Sequence, residues 1–534
     1  MREAATDAGW RGLLAPRLVL TLSVLLGGVL LHSMNVLITA TLLPSIVAEL
    51  GGADLMSWPT TAFVASSIIA ASGTSLVSGR FGNRRAFSGG AVIYAAGAVL
   101  CACAPSINFV IAGRFVQGLG GGLLSALAYV LVRNAFPEPL WPKVFGLLAG
   151  VWSVTVLIGP LIGGVFASYG HWRSAFVTVA GLGCLLGAGS LFTLPADSRS
   201  DQAVSRTFPA GRVALICGAI ALLSAASVAT GLAIKATLIG ATIAAFALMM
   251  RTDRRAAAPL LPSDAFSLRS GTGAGLWMIL LMSAGYSPLA IYAPLFLQRL
   301  HGVSPLGAGY MVALASLAWT TAALSVASLS EEWPPRLIIM GPSAMGAGLA
   351  GVGVLMAPGP VAALILPIVL IGAGIGAAWA FVLQRVMSGA KCGEENIAAA
   401  SAATVQQAGI ALGAAIAGLI ANASGLDNGL DRGSVLRASL WVPLALVAAP
   451  LAACAIGVRL NLMVPRSPEQ ELTAARLTRS RRPRSGAGFR RRLPTFATIR
   501  SPGAPAAPSA LSAAGVCGGR SADRDVGRAD PVRL

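Results

Sequence analysis

The sequence predicts an all-α polytopic membrane protein with about 14 transmembrane helices, and three observations carry that reading. Of the 534 residues, 55% are hydrophobic and only 11% are charged, where a soluble domain carries about 25% charge. Apolar stretches long enough to cross a hydrocarbon layer of roughly 30 Å as helices recur fourteen times along the chain. Basic residues then concentrate in alternate connections, as topology in a bilayer requires. Composition alone excludes an ordinary soluble enzyme.

In chain order the expected spans are 17–43, 58–78, 86–104, 108–132, 144–167, 174–194, 212–230, 233–250, 273–296, 305–328, 336–356, 360–384, 398–422 and 438–462. Arg2, Arg11 and Arg17 precede the first, which gives it the start of a secretory signal. It runs too long for one and carries His32 and Asn35 midway, so it is read as a retained helix. Only a short turn separates 212–230 from 233–250.

Lys and Arg test the count. With both termini cytoplasmic, the N-terminus and the six inner loops hold 18 of them, and the seven outer loops hold five: Arg173, Lys235, Arg299, Arg432 and Arg437. An odd number of spans would scramble this split. Arg114 falls inside a span. The formal charge of +19 is therefore largely a topology record plus a basic tail, because residues 465–534 hold 14 Arg against 5 acidic residues.

That tail, with Arg479-Ser-Arg-Arg-Pro-Arg484 and Arg490-Arg-Arg492 among Pro, Ser, Ala and Gly, has a disordered composition. It is either an uncommitted extension or an arm that binds anionic lipid, at about 1 kcal/mol per basic residue near the surface. No nucleic-acid partner is expected. The seven cysteines and three histidines lack metal-ligand spacing, so neither a metal nor a cofactor is expected.

Residues 58–85 and 305–336 read as related units: each is a helix followed by a short loop, Ser75-Leu-Val-Ser-Gly-Arg-Phe-Gly-Asn-Arg-Arg85 in the first and Ala327-Ser-Leu-Ser-Glu-Glu-Trp-Pro-Pro-Arg336 in the second. Repeats of this kind mark carriers built from two helical bundles around a midplane site.

Four segments add a resemblance. Ile111-Ala-Gly-Arg-Phe-Val-Gln-Gly-Leu-Gly-Gly-Gly122 is similar to the Arg-x-x-Gln-Gly-x-Gly pattern of the major facilitator superfamily. Gly150 with Gly159-Pro160-Leu-Ile-Gly163-Gly164, followed by Trp172-Arg173-Ser-Ala-Phe176, resembles its antiporter motif. The loop 75–85 resembles the signature between its second and third helices. Gly372-Ala-Gly-Ile-Gly376 and Thr404-Val-Gln-Gln-Ala-Gly409-Ile-Ala-Leu-Gly413 resemble helices twelve and thirteen of its 14-span drug:proton antiporter branch, to which Leu43-Pro44, Ser57-Trp58 and Pro294-Leu-Phe-Leu-Gln298 also conform.

The resemblance covers residues 17–464 and implies a fold of two six-helix bundles plus two extra helices. It implies secondary transport of a small solute by alternating access, with efflux as the branch's direction. The expected segments are a cytoplasmic stretch 1–16, a first bundle 17–194, a linker with two helices 195–272, a second bundle 273–464, and the tail 465–534. The partners are a small-molecule substrate and the lipid bilayer, for a monomer in a bacterial cytoplasmic membrane.

Physical chemistry assigns candidates. A charge near the bilayer centre costs at least ~2.5 kcal/mol, so Arg114 must face a bundle interior or a watery cavity, with Gln117 on the same helix face. Arg114 either couples and gates transport or braces neighbouring helices. Gly159-Pro160 removes a backbone donor and bends its helix, while Gly163 and Gly164 admit another helix closely; this is a gating bend or a packing kink. Gly82, Arg84 and Arg85 form a tight inner turn, a latch between halves or a topology anchor. Aromatic and amide residues within spans complete the pocket candidates: Trp152, Tyr286, Tyr292, Trp319, Trp379, Gln406 and Gln407, together with Gln298.

Two departures bear on coupling. Asn35 stands where the branch has an Asp in helix one, and Gly79 stands where the loop motif has its Asp. More broadly, no span interior holds Asp or Glu, the residues that carriers use as membrane-embedded proton relays. Proton coupling would have to use His32, a residue type that titrates in the physiological range, or a proton carried by the substrate; otherwise His32 is structural. The alternatives are a facilitated or substrate-coupled carrier for a neutral or anionic solute, and a non-transporting membrane sensor of the same fold.

Overall fold

The structure is a computed structural model that describes residues 13, 15–137, 140–194, 209–256, 259–326, 333–391 and 394–462. The expected tail and the repeat loop 327–332 lie outside the described residues, as do Cys392 and Cys517.

Among the described residues fifteen α-helices follow one another: α1 (Pro16–Leu50), α2 (Trp58–Phe81), α3 (Asn83–Ala102), α4 (Ile107–Ala135), α5 (Trp141–Ser168), α6 (Trp172–Thr193), α7 (Ala210–Val228), α8 (Leu232–Asp253), α9 (Gly271–His301), α10 (Pro305–Val326), α11 (Trp333–Leu355), α12 (Ile365–Ser388), α13 (Glu395–Ala423), α14 (Arg432–Leu446) and α15 (Ala448–Leu462). The last two are one span, Arg432–Leu462, interrupted at Val447. Thirteen segments are long and apolar enough to cross a membrane, and α5, whose described apolar stretch is Ile158–Ser168, supplies the fourteenth pass. The face that carries the connections after α1, α3, α5, α7, α9, α11 and α13 is called the outer face below.

Helix ends follow local chemistry. Pro16, Pro59 and Pro142 open α1, α2 and α5 at the first or second position, where a missing N–H costs nothing. Ser270 caps α9 by accepting from the Gly273 amide at 3.1 Å. Asp431 caps α14 by accepting from the Gly433 and Ser434 amides at 2.9 and 3.0 Å. Between α2 and α3 the chain turns on Gly82 at φ +82°, a conformation that strongly favours glycine.

One boundary differs from expectation. The first span was expected to stop at residue 43, yet α1 continues through Pro44 to Leu50. Proline removes one hydrogen bond and bends a helix without ending it where tertiary contacts hold the next turn. Here Glu49 supplies them, accepting from Trp172 Nε1 at 2.6 Å and pairing with Arg173. The span around 273–296 likewise extends from Gly271 to His301 through Pro288 and Pro294.

Packing repeats between the two halves of the chain. In the first half α1 packs on α5, α4 on α2 and α3, and α3 on α6; in the second half α9 packs on α13, α12 on α10 and α11, and α11 on the α14–α15 span. The halves meet through two equivalent pairs, α5 with α10 and α2 with α13, and along α1 with α9. The extra hairpin α7–α8 attaches to this seam, α7 packing on both α2 and α13. At its inner end Arg212 pairs with Asp253 at 2.6 Å, and that carboxylate also accepts from the Leu260 and Leu261 amides at 2.8 and 2.9 Å.

Candidate functional site

The first half buries one polar cluster. Arg114 lies near the outer third of α4 and is 1% exposed, because its long stem reaches into the space between α1, α2 and α4. Its Nη1 donates to Asn35 Oδ1 on α1 and to Gln117 Oε1, one turn along α4, the latter at 2.8 Å. Asn35 Oδ1 also accepts from Thr39 Oγ1 at 3.2 Å. The guanidinium carbon stands 4.2 Å from the Phe63 ring centre, a cation–π contact that gains strength when desolvated.

His32 lies beside that ring, 5.4 Å between centroids and tilted by 30°, and its Nδ1 is buried without a partner. The same is true of Arg114 Nε, Asn35 Nδ2 and Gln117 Nε2. Two further contacts fix α1: Ser33 Oγ and Thr155 Oγ1 lie 2.7 Å apart across α1 and α5, and Tyr94 donates to the Leu31 carbonyl at 2.7 Å.

The second half holds an aromatic cleft lined by Ser283, Tyr286, Trp319, Ile375, Trp379, Gln406 and Ile410. Tyr286 shares a hydrogen bond with Ser316 at 3.1 Å and meets Trp319 edge-on at 6.0 Å. Trp319 in turn lies 5.4 Å from Trp379, tilted by 56°. The cleft wall is apolar with a few placed hydroxyls and one amide.

The outer ends of the two halves are in tight contact. A Cβ on Gly164 would stand 2.5 Å from the Leu306 Cα at the start of α10, and one on Gly309 would stand 3.0 Å from the Pro160 Cβ. Small residues let these backbones approach. Gly159 and Gly163 place the same stretch of α5 against Leu37, Ile38 and Thr41 of α1. Across the other pair, Asn422 on α13 donates to the carbonyls of Asp54 at 2.8 Å and Ser227 at 2.9 Å, joining α13 to the α1–α2 connection and to the end of α7.

The expected residues thus do not form one site. Asn35, Arg114, Gln117 and His32 come together, as do Tyr286, Trp319, Trp379 and Gln406. Tyr292 stands apart at the outer seam, buried, stacked on Phe296 at 6.0 Å and near Gly418 and Ser57. Gln407 is half-buried outside the cleft lining. Trp152 lies in α5, with its side chain outside the described residues. In the inner turn Gly82 adopts its positive φ, Arg84 is half-buried and Arg85 is exposed.

Sequence reasoning missed Phe63, Ser283, Ser316 and Asn422. Phe63 is one apolar residue in an apolar helix and carries no local signal. Asn422 is the lone amide at the end of an alanine-rich helix, a signal that was available.

The model of the Major Facilitator Superfamily matches residues 25–414. Among curated proteins, a probable multidrug-efflux transporter of Mycobacterium tuberculosis is 34% identical over 439 residues, 79% of this chain and 92% of the relative. The tetracenomycin C resistance and export protein of Streptomyces glaucescens is 25% identical over 402 residues, 74% of each chain. Among solved structures, a bacterial homolog of the human lysosomal transporter Spinster superposes with a TM-score of 0.60 at 15% identity, covering 85% of this chain and 99% of the other. The nucleoside transporter NupG gives 0.59 at 11% identity, covering 83% and 99%. Motif order, helix packing and these matches agree: the chain belongs to the major facilitator superfamily.

Proposed function

We propose that this transporter exports small amphiphilic molecules across a bacterial cytoplasmic membrane by alternating access. Family membership makes it a carrier and not an enzyme. The observation that supports the mechanism best is the closure of the outer ends of the two halves, at Gly164 against Leu306 and at Asn422 against Asp54. Such a seam gives a carrier a closed outer gate above a site that loads from inside. Relatives named for multidrug efflux support the same reading.

In this reading residues 17–194 and 273–464 are the moving halves, and 195–272 is the linker that carries α7 and α8. Both termini are cytoplasmic, the carrier works as a monomer, and the basic tail has the composition to bind anionic lipid. Tyr286, Trp319, Trp379 and Gln406 take the apolar body of the substrate. Arg114, Asn35 and Gln117 hold α1 against α4 while the halves rock, and Gly159, Pro160, Gly163 and Gly164 shape the closing seam.

A second reading concerns energy coupling. The Arg114 cluster uses neutral amides where a proton relay would use carboxylates, which favours substrate-coupled or facilitated transport over proton exchange. A susceptibility and uptake screen of an overexpressing strain, run across a chemically diverse panel and repeated with the proton gradient collapsed, tests both. Resistance and lowered accumulation support export, and persistence after collapse supports the second reading. A strain indistinguishable from its control across the panel contradicts export.

A further inference from the structure

We infer that Arg114 and its amide neighbours form a binding site for a monovalent anion, supplied by a carboxylate-bearing substrate. The inference rests on the carrier reading for its role in transport and on geometry for the binding itself.

The cluster is rich in donors and poor in acceptors. Arg114 Nη1 is occupied by two neutral amide oxygens, while Arg114 Nε and Gln117 Nε2 are buried with no acceptor and Asn35 Nδ2 has only the Tyr94 hydroxyl nearby. All three side chains are at most 1% exposed. A buried donor without a partner is costly, and a buried guanidinium without a counter-charge more so. The Phe63 face at 4.2 Å attracts the cation but carries no net charge.

The chain supplies no counter-charge nearby. From Asp54 to Glu138, which spans α2, α3 and α4, the sequence contains no other acidic residue. The single acidic residue in α1 is Glu49, at the outer end and engaged with Trp172 and Arg173. The ion pairs found among the described residues are Arg173–Glu49 and Arg212–Asp253, neither involving Arg114.

A carboxylate matches these donors chemically. It offers two oxygens with about four acceptor directions, matched to a guanidinium fork and adjacent amide N–H groups. With the aromatic cleft of the other half taking an apolar body, the substrate class becomes an amphiphilic organic anion. An inorganic anion such as chloride shares the charge but not the body, and the two are separable by experiment.

The test uses the purified full-length protein in detergent. Its melting temperature is titrated with sodium benzoate, with its neutral isostere benzamide and with sodium chloride, at constant ionic strength set by sodium sulfate. A saturable rise with benzoate and none with benzamide is expected. The apparent affinity should weaken at least tenfold in Arg114→Gln and equally in Asn35→Asp, which provides a carboxylate within the protein. Asn35→Asp should also melt higher than wild type without added anion, so the inference stays testable if Arg114→Gln fails to fold. An equal rise with chloride assigns the site to an inorganic co-ion and still supports anion binding. Equal responses to benzoate and benzamide, or an unchanged benzoate response in both variants, overturn it. Efflux by a protein that ignores anions refutes this site alone, whereas absent efflux refutes the carrier reading.

Discussion

The side-chain amide of Asn422 donates to the backbone carbonyl of Asp54, 368 residues earlier in the chain, at 2.8 Å. Through the same amide it reaches Ser227 at 2.9 Å, so one residue ties together the second half, the first outer connection and the extra hairpin.

Replacing Asn422 with Ala removes both bonds and leaves one buried and one half-buried carbonyl without that donor, a loss of about 1–3 kcal/mol from the outer-closed state. A population shift of that size is readily measured. In a background lacking native cysteines, Ser57→Cys at the seam should react faster with an impermeant maleimide when Asn422 is Ala. Unchanged labelling would show that the clamp does not hold the gate.

Gly164→Leu places a branched side chain where even a Cβ stands 2.5 Å from Leu306. Overpacking of this kind costs about 1–3 kcal/mol, paid here only when the outer face closes. The variant should insert normally and export at under a tenth of the wild-type rate, read as initial efflux from loaded cells. Wild-type efflux would remove the seam from the transport cycle.

Arg114→Lys keeps the charge but replaces the planar guanidinium, whose Nη1 donates to both Asn35 and Gln117 and whose face lies against Phe63, with a shorter-reaching ammonium. Efflux should fall at least tenfold with normal membrane levels. Full activity in the Lys variant would reduce the requirement to a point charge.

Asp253→Ala removes one partner of Arg212, whose side chain is 15% exposed, and the acceptor of the Leu260 and Leu261 amides. Breaking a fully buried pair from one side costs about 3–5 kcal/mol, and this part-buried pair less. Thermal unfolding of the purified variant should show a clear loss, with a smaller one in the paired variant Arg212→Met, Asp253→Met.

Asp431 is exposed, and its carboxyl is held below the usual carboxylate range, first by the Ser434 side chain, then by the Ser434 backbone amide, and then by the Gly433 amide and Arg437 against a small burial effect. A depressed acid stabilises the fold above its unfolded value, near pH 4, and loses that contribution as pH falls through the lower folded value. The melting temperature should therefore drop less steeply below pH 4 in Asp431→Ala than in wild type. Parallel curves would show that this cap contributes nothing to α14.

Much of the fold was legible because hydrophobic length and the Lys/Arg split report span number directly. The end of α1 was not, since Pro44 stops a helix by local rules and only Glu49, Trp172 and Arg173, distant in sequence, hold the turns beyond it. At the candidate site, Arg114, Asn35 and Gln117 were visible as polar residues that hydrocarbon would reject. Their grouping with Phe63, and the separation of Tyr292 from Tyr286, depend on which helix faces meet, and no local pattern encodes that.

Alternating access is tested most directly by exchange. Protein reconstituted in vesicles, loaded with the compound of greatest effect in the screen, should release labelled compound faster when unlabelled compound is outside, and Gly164→Leu should abolish the acceleration. Release at one rate regardless of outside compound, in wild type and variant alike, would contradict a carrier mechanism.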